Sequence, residues 1–455
     1  QRRSLPADKR PHSTPIPYDP RAVRDLDEWP TMKLYGLYVI PCCALFACSG
    51  ASEVAGLERD AGVDTARDAG EGVRDGGAPV DAGLTDAGGE AGGDAGTARD
   101  GGAIRDAGEG RDGGGSFLSD WFANYNEGQG TDYLSAPYTT NVGGDPRYPN
   151  VAHTHYEDVP YGPFPRNALD FWQADTSTPA PVIVFIHGGG FQGGSRDQVH
   201  ANGILVPSLL SQGISFAAIS YRWAYRDPDA ALMAPIPNDI GTEHDVNGTR
   251  LDYILRDCAR AIQYIRYRAA EWNVDPDRIA AYGGSAGAGC ATWTAAVEDL
   301  AVPDHADPVL RESTSLWAFG HTNGQVSYDF LRWAPLLMMD EAFVRDQVGT
   351  EIVRLTQTSI ADMENTPEGQ ALRRVLDYYE WLDGDDPPFI TQNQNADLDE
   401  AMITDRSQVI HHPRGHVALY RRCQDEGGTC EINTRIERSA YRGNVIQYLV
   451  QQLTR

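Results

Sequence analysis

Apolar side chains are distributed very unevenly along the 455 residues, and that distribution divides the chain before any motif is considered. Residues 1–31 are rich in Pro and Arg and have no apolar period, which predicts an unstructured segment. Met32 and Lys33 then introduce an apolar run over 34–47, shorter than a membrane-spanning helix needs. Over 49–116 the chain repeats Asp-Ala-Gly, Arg-Asp-Ala-Gly and Arg-Asp-Gly-Gly units almost without large apolar residues. Nothing there offsets the entropy of ordering the backbone, so this stretch is predicted to be a flexible tether. Aromatic residues return at Phe117, and a single globular domain is expected over 117–455.

Within that domain two hydrophobic patterns alternate. Residues 181–187, 214–220 and 279–282 are continuous apolar runs of the kind a strand buried on both faces needs. Further strands are predicted over 315–320, 388–391 and 430–436. A helical period runs over 245–272, where Leu251, Ile254, Leu255, Ala259, Ile262 and Ile265 share one face. Helices are also predicted over 199–210, within 409–427 and over 441–453. An insertion over 325–383 interrupts the alternation. Its Trp333, Leu336, Leu337, Met338, Met339 and Phe343 either line an apolar pocket or form the core of the insertion itself. The pattern predicts an α/β fold with a mostly parallel central sheet, helices on both faces, and ligands bound beyond the carboxyl ends of the strands.

Two glycine-rich segments sit at such ends. Gly283-Gly284-Ser285-Ala286-Gly287 follows a short apolar strand and continues as a small-residue helix, so Ser285 falls on a sharp turn that exposes its hydroxyl above the sheet. About a hundred residues earlier, the buried strand runs straight into Gly188-Gly189-Gly190, where backbone N–H groups can crowd toward one point, as an oxyanion hole requires.

As a pair, His187-Gly-Gly-Gly-Phe191 and Gly283-Gly-Ser-Ala-Gly287 resemble the α/β-hydrolase superfamily. The similarity is greatest to bacterial carboxylesterases related to hormone-sensitive lipase and to the bifunctional acetylxylan/feruloyl esterases, and it covers roughly residues 150–455. The resemblance implies the α/β-hydrolase fold, a first hairpin over 158–172 and a helical cap at about 325–383. It implies a serine carboxylic ester hydrolase that works through an acyl-enzyme on small or aromatic acyl esters. Ser285 would be the nucleophile, with Gly188, Gly189, Gly190 and Ala286 forming the oxyanion hole, His187 supporting that loop, and no metal or organic cofactor.

The family usually takes its base from the loop after the last strand. Here that loop is Glu437-Arg-Ser-Ala-Tyr441, and no histidine follows His416. The base is therefore expected in Ile410-His411-His412-Pro413-Arg414-Gly415-His416. His411 and His412 are the candidates, with His416 on the helix behind them, and a histidine before proline also suits a helix cap. Asp397 and Asp399 stand where the family usually has its acid. Asp405 lies nearer the histidines, Asp329 follows the preceding strand, and Asp385 and Asp386 belong to the opposite end of the sheet. The missing terminal histidine leaves open a hydrolase-fold protein that only binds at the cell surface. An amidase related to kynurenine formamidase is the other alternative, although Phe191 stands where that motif usually has tryptophan.

The formal net charge of −27, most of it in the domain, works against phosphate backbones and anionic lipid surfaces. No nucleic acid partner is expected, and the expected substrate is a small-molecule or polysaccharide-linked ester. The basic start and short apolar run have the shape of a signal peptide with translation starting at Met32, and Leu45-Phe-Ala-Cys48 resembles a bacterial lipobox. Cys48 would then carry the lipid of an outer-membrane or otherwise exported protein, and membrane contact would be through that anchor. Export would allow Cys423 to pair with Cys430, and Cys258 with Cys290 on neighbouring helices. His153 and His155 have no further ligand-spaced residue nearby and read as strand or surface histidines.

Overall fold

The computed structural model describes residues 114–126, 128–224 and 248–455. The upstream segment, the apolar run with Cys48, residues 49–113 of the tether and the start of the 245–272 helix lie outside them. After α1 (Gly114–Trp121), the strands β1 (Thr139–Asn141), β2 (His153–Pro160) and β3 (Ala168–Ala174) form an antiparallel edge. β4 (Ala180–Ile186), α2 (Leu205–Leu210), β5 (Ser215–Ile219), α3 (Leu251–Tyr267), β6 (Val274–Gly284), α4 (Ala286–Ala296) and β7 (Ala318–Thr322) then alternate. Helices α5 (Trp333–Leu337), α6 (Glu341–Thr356), α7 (Ile360–Asn365), α8 (Pro367–Leu376) and α9 (Tyr378–Trp381) fill the insertion before β8 (Phe389–Asn393). α10 (Arg406–Ile410), α11 (Pro413–Asp425), β9 (Cys430–Thr434) and α12 (Val445–Leu453) follow.

The described strands form one nine-stranded sheet in the order β1-β2-β3-β5-β4-β6-β7-β8-β9. β3 pairs antiparallel with β5, and the pairs from β5–β4 through β8–β9 are parallel. This is the α/β-hydrolase fold. Strand order reverses around β4, since β5 lies on one side of it and β6 on the other. Connections leaving adjacent strands in opposite directions open a crevice at their carboxyl ends. The two glycine-rich segments are the loops that leave β4 and β6 at that crevice.

Side-chain alternation along the strands separates two cores. Val182, Val184 and Ile186 of β4, Ala281 of β6 and Phe319 of β7 pack with α3 and α4. Ile183, Phe216, Ala280, Ala318 and Ile390 pack with α2 and α12 on the other face. Both faces of the central strands are covered, which is why they are apolar without interruption. α3 is buried on more than its apolar stripe, because Arg260 donates to Tyr161 O (2.9 Å) and ion-pairs with Asp307, while Asp257 takes a forked pair of bonds from Arg222.

Several local expectations change. The helix expected over 199–210 splits into a 3₁₀ turn (Arg196–Ala201) and α2, because Asn202-Gly203 interrupts it. α12 begins at Val445, where Asn444 and Gln447 cap it reciprocally. In the insertion, Trp333, Leu337 and Met339 are buried in the main core, and Trp333 Nε1 donates to Ser327 O (2.9 Å). Met338 points outward at 67% exposure from a left-handed backbone, so these side chains build the cap rather than a pocket. Cys423 and Cys430 are disulfide-bonded, whereas Cys258 and Cys290 are buried free thiols and not the pair expected. No helix among the described residues is long and apolar enough to cross a membrane.

The two crevice loops touch through bare backbone. A Cβ on Gly287 would lie 2.0 Å from Ile186 O and 2.6 Å from His187 O. Gly287→Ala therefore forces α4 away from the end of β4, and urea unfolding should register a loss of about 3 kcal/mol.

Candidate active site

Ser285 joins β6 to α4 with φ 52° and ψ −121°, a conformation that a residue with a Cβ holds only under tertiary constraint. Its N–H donates to Thr322 O (3.0 Å), and its carbonyl accepts from Ala288 N (3.0 Å) and Gly289 N (3.3 Å). With that carbonyl turned into α4, the N–H of Ala286 on the same peptide faces outward from the helix N-terminus. Tyr328 Oη donates to Ala286 O (2.8 Å) and fixes the next peptide. The loop after β4 comes alongside, since a Cβ on Gly188 would lie 2.7 Å from Gly284 O and 3.4 Å from Ser285 Cβ. Gly189 and Gly190 adopt φ 119° and 62°, and a Cβ on Gly189 would collide with Gly193 O.

His187 underpins that loop. Its ring stacks on Tyr221 with centroids 4.1 Å apart, and its Nδ1 lies 2.7 Å from Gly188 O. A carbonyl can only accept, so Nδ1 carries the hydrogen. Burial, helped by Arg166, pulls the His187 pKa down to about 3 and keeps the ring neutral.

His411 ends α10 and lies with Nε2 2.8 Å from Ser285 Oγ. Its Nδ1 is 3.0 Å from Ser407 O and 3.1 Å from Ser407 Oγ. The carbonyl takes the Nδ1 hydrogen, which leaves the Nε2 lone pair facing the serine hydroxyl. Asn393 Nδ2 and Asn395 Nδ2 both donate to His411 O, at 3.0 and 2.9 Å, and tie the residue to the end of β8. Asp405 caps α10 by accepting from Ser407 N (2.6 Å), with Gln408 completing a capping box. Loss of hydration lowers the His411 pKa, while the Ser407 carbonyl and then Asp405 act in the opposite direction.

The other expected residues are placed elsewhere. His412 caps α11: its Nδ1 accepts from Arg414 N (3.3 Å) and its Nε2 lies 3.0 Å from Leu398 O, so both nitrogens are engaged away from Ser285. Asp397 and Asp399 accept from Arg414, at 2.7 and 3.0 Å, and among the described residues neither bonds to His411. Arg414, two residues after the histidine pair, draws both carboxylates to itself. His416 is buried with Nδ1 2.5 Å from Thr391 Oγ1. Asp329 pairs with Arg373, and Asp386 accepts from Asp383 N in the loop before β8. Asn393, Asn395 and Ser407 were not anticipated; the i, i+4 spacing of Ser407 and His411 on one helical turn is the only sequence signal for the last.

A strained serine hydroxyl, an imidazole lone pair in hydrogen-bond contact and outward N–H groups at a helix start can together activate an alcohol and receive an oxyanion.

Comparison with known proteins gives a consistent but partial picture. The BD-FAE family profile matches residues 247–408. The probable carboxylic ester hydrolase LipM of Mycobacterium tuberculosis is 32% identical over 140 residues, 30% of this chain and 27% of that protein. The fumonisin B1 esterase of Sphingopyxis macrogoltabida is 28% identical over 108 residues, 24% of this chain and 18% of that protein. The chain thus spans well under a third of the length of these relatives. Among solved structures, a truncated carbohydrate esterase from gut microbiota is 16% identical with a TM-score of 0.45, over 66% of this chain and 96% of that one.

Labelling of Ser285 with a fluorophosphonate reads the activation of its hydroxyl directly. His411→Ala should slow labelling by on the order of 10³-fold or more, whereas His412→Ala should leave it nearly unchanged and lower stability by about 1 kcal/mol through the lost cap. Because the neutral imidazole is the active form and its pKa is lowered, the rate should persist as pH falls past 6.5 and fail only at more acidic pH, as Nε2 protonates.

Proposed function

We propose, for a chain with the α/β-hydrolase fold and carboxylic ester hydrolases among its relatives, that it is a serine ester hydrolase working through an acyl-enzyme. The observation that carries this reading is the 2.8 Å contact between Ser285 Oγ and His411 Nε2 at a turn with positive φ. As Ser285 Oγ attacks the ester carbonyl, His411 Nε2 takes its proton. The carbonyl oxygen, now an oxyanion, accepts from the N–H groups of Ala286, Gly189 and Gly190, while Gly188 leaves the loop room to reach the serine. The imidazolium returns the proton to the departing alcohol. Water then attacks the acyl-enzyme with His411 again as base, and the carboxylic acid leaves.

The partner of His411 Nδ1 favours esters over amides. A main-chain carbonyl holds the correct tautomer but, being neutral, stabilises the imidazolium less than a carboxylate does. An alcohol departs with little help from that acid, whereas an amine needs its full strength. The acidic domain also suits uncharged esters better than anionic ones. Small or aromatic acyl groups, free or carried on a neutral polysaccharide, are the substrates this reading assigns, in line with the resemblance to acetylxylan and feruloyl esterases.

Hydrolysis of p-nitrophenyl acetate, methyl ferulate and acetylated xylan by the full chain, beside the matched p-nitroanilide, tests the reading. Ester hydrolysis should exceed anilide hydrolysis by several orders of magnitude and fall on the order of 10³-fold or more in Ser285→Ala. Unchanged ester turnover in Ser285→Ala, or equal rates on ester and anilide, would contradict it.

A further inference from the structure

The oxyanion loop is held peptide by peptide through its carbonyls. Gly188 O meets His187 Nδ1 (2.7 Å), Gly189 O accepts from Gln192 N (3.1 Å) and Phe191 O accepts from Ala224 N (2.7 Å). The first two donors belong to the loop itself or its flanks. Gly190 O is held from the cap, by an Arg354 guanidinium nitrogen 2.9 Å away on α6. A trans peptide is planar with its N–H opposite its C=O, so the bonds to Gly188 O and Gly189 O direct the N–H groups of Gly189 and Gly190, and the bond to Gly190 O fixes the next peptide, which carries the Phe191 N–H and closes the loop beside those donors.

The peptide that Arg354 holds lies between two residues with positive φ, Gly190 at 62° and Phe191 at 61°. Phe191 carries a Cβ, so that backbone is disfavoured unless tertiary contacts impose it. Its ring is buried against Tyr221 and Tyr328, the tyrosine that also holds Ala286 O, so a shift at Phe191 reaches the peptides that adjoin the donors on both the glycine loop and α4. Arg354 is itself oriented by an ion pair with Glu351, and the two side chains are only 12% and 11% exposed. A charge-assisted bond in so sheltered a place is stronger and more directional than a neutral surface contact.

We propose that Arg354 is a positioning residue that couples the cap to the oxyanion hole: by gripping Gly190 O from α6 it holds the loop in its donor geometry, so the hole is complete only with the cap seated. This rests on the serine hydrolase reading above. Arg354 touches neither the nucleophile nor the acyl group in this account, and its effect is felt where the oxyanion forms, which is the transition state rather than the ground state.

Steady-state kinetics on p-nitrophenyl acetate with the full chain separate this role from a merely structural one. Arg354→Met should lower kcat by about 10- to 100-fold, the scale of a small misplacement near the reacting centre, with KM nearly unchanged. Added guanidinium ion at millimolar concentration should recover part of the loss without affecting the wild type. Arg354→Lys should recover some activity as a point charge lacking the planar fork, and Glu351→Gln should give a smaller loss of the same kind. Arg345→Met, which removes the ion pairs of this α6 residue with Glu341 on the same helix and Glu364 on α7, should leave kcat unchanged. If Arg354→Met keeps its kcat within about twofold, or loses activity only in step with its melting temperature and without guanidinium recovery, the coupling is overturned while the serine reading stands. If the wild type neither labels at Ser285 nor hydrolyses the ester, both fall together.

Discussion

The contact between Ser285 Oγ and His411 Nε2 joins two parts of the chain 126 residues apart, and each end depends on a different kind of local constraint. At the serine end the constraint is steric. Gly287 lets α4 rest directly on the carbonyls at the end of β4, Thr322 O holds the Ser285 N–H, and the positive φ of Ser285 persists because these contacts over-determine it. At the histidine end the constraint is hydrogen bonding. Asn393 and Asn395 hold the His411 carbonyl from the end of β8, and a capped five-residue helix presents Ser407 O to the ring. Neither end tolerates much drift, since the hydroxyl and the lone pair must meet at hydrogen-bond distance.

Electrostatically the site relies on neutral groups. His411 is oriented by a carbonyl and a hydroxyl, His187 is buried neutral beneath the glycine loop, and the expected acids Asp397 and Asp399 are paired with Arg414. Arg414 also reaches Leu337 O at the end of α5, so the carboxylates of that loop are turned toward the insertion while its Asn395 holds the His411 carbonyl. On the proposed reading, the base has the right tautomer with less electrostatic support than a carboxylate would give, which would suit esters with ready leaving groups.

How much of this was legible in the sequence follows from range. The strands around β4 and β6, the elbow at Ser285 and the glycine loop are encoded in contiguous runs, and periodicity with glycine placement found them. The choice between His411 and His412 turns on one residue's position relative to a helix cap: Pro413 commits His412 to the start of α11, and Ser407 one turn earlier orients His411. That distinction was present as spacing but not as a motif. Asp397 and Asp399 lie away from His411 because Arg414 competes for them, and nothing in an aspartate's own neighbourhood announces a partner 17 or 15 positions further on. Arg354 and Gly190 are 164 positions apart, so only the folded chain brings them together.

If His411 is held for catalysis by Ser407 and not by an aspartate, the decisive measurement is the rate of Ser285 phosphonylation in Asp397→Asn, Asp399→Asn and Asp405→Asn. Each of these amides keeps the shape of the side chain it replaces while removing its charge. Rates within about threefold of the wild type are expected for all three, whereas an aspartate that oriented the base would cost on the order of 10⁴-fold when neutralised. A loss of that size in any one of them would contradict that role for Ser407 and identify the missing member of a conventional triad.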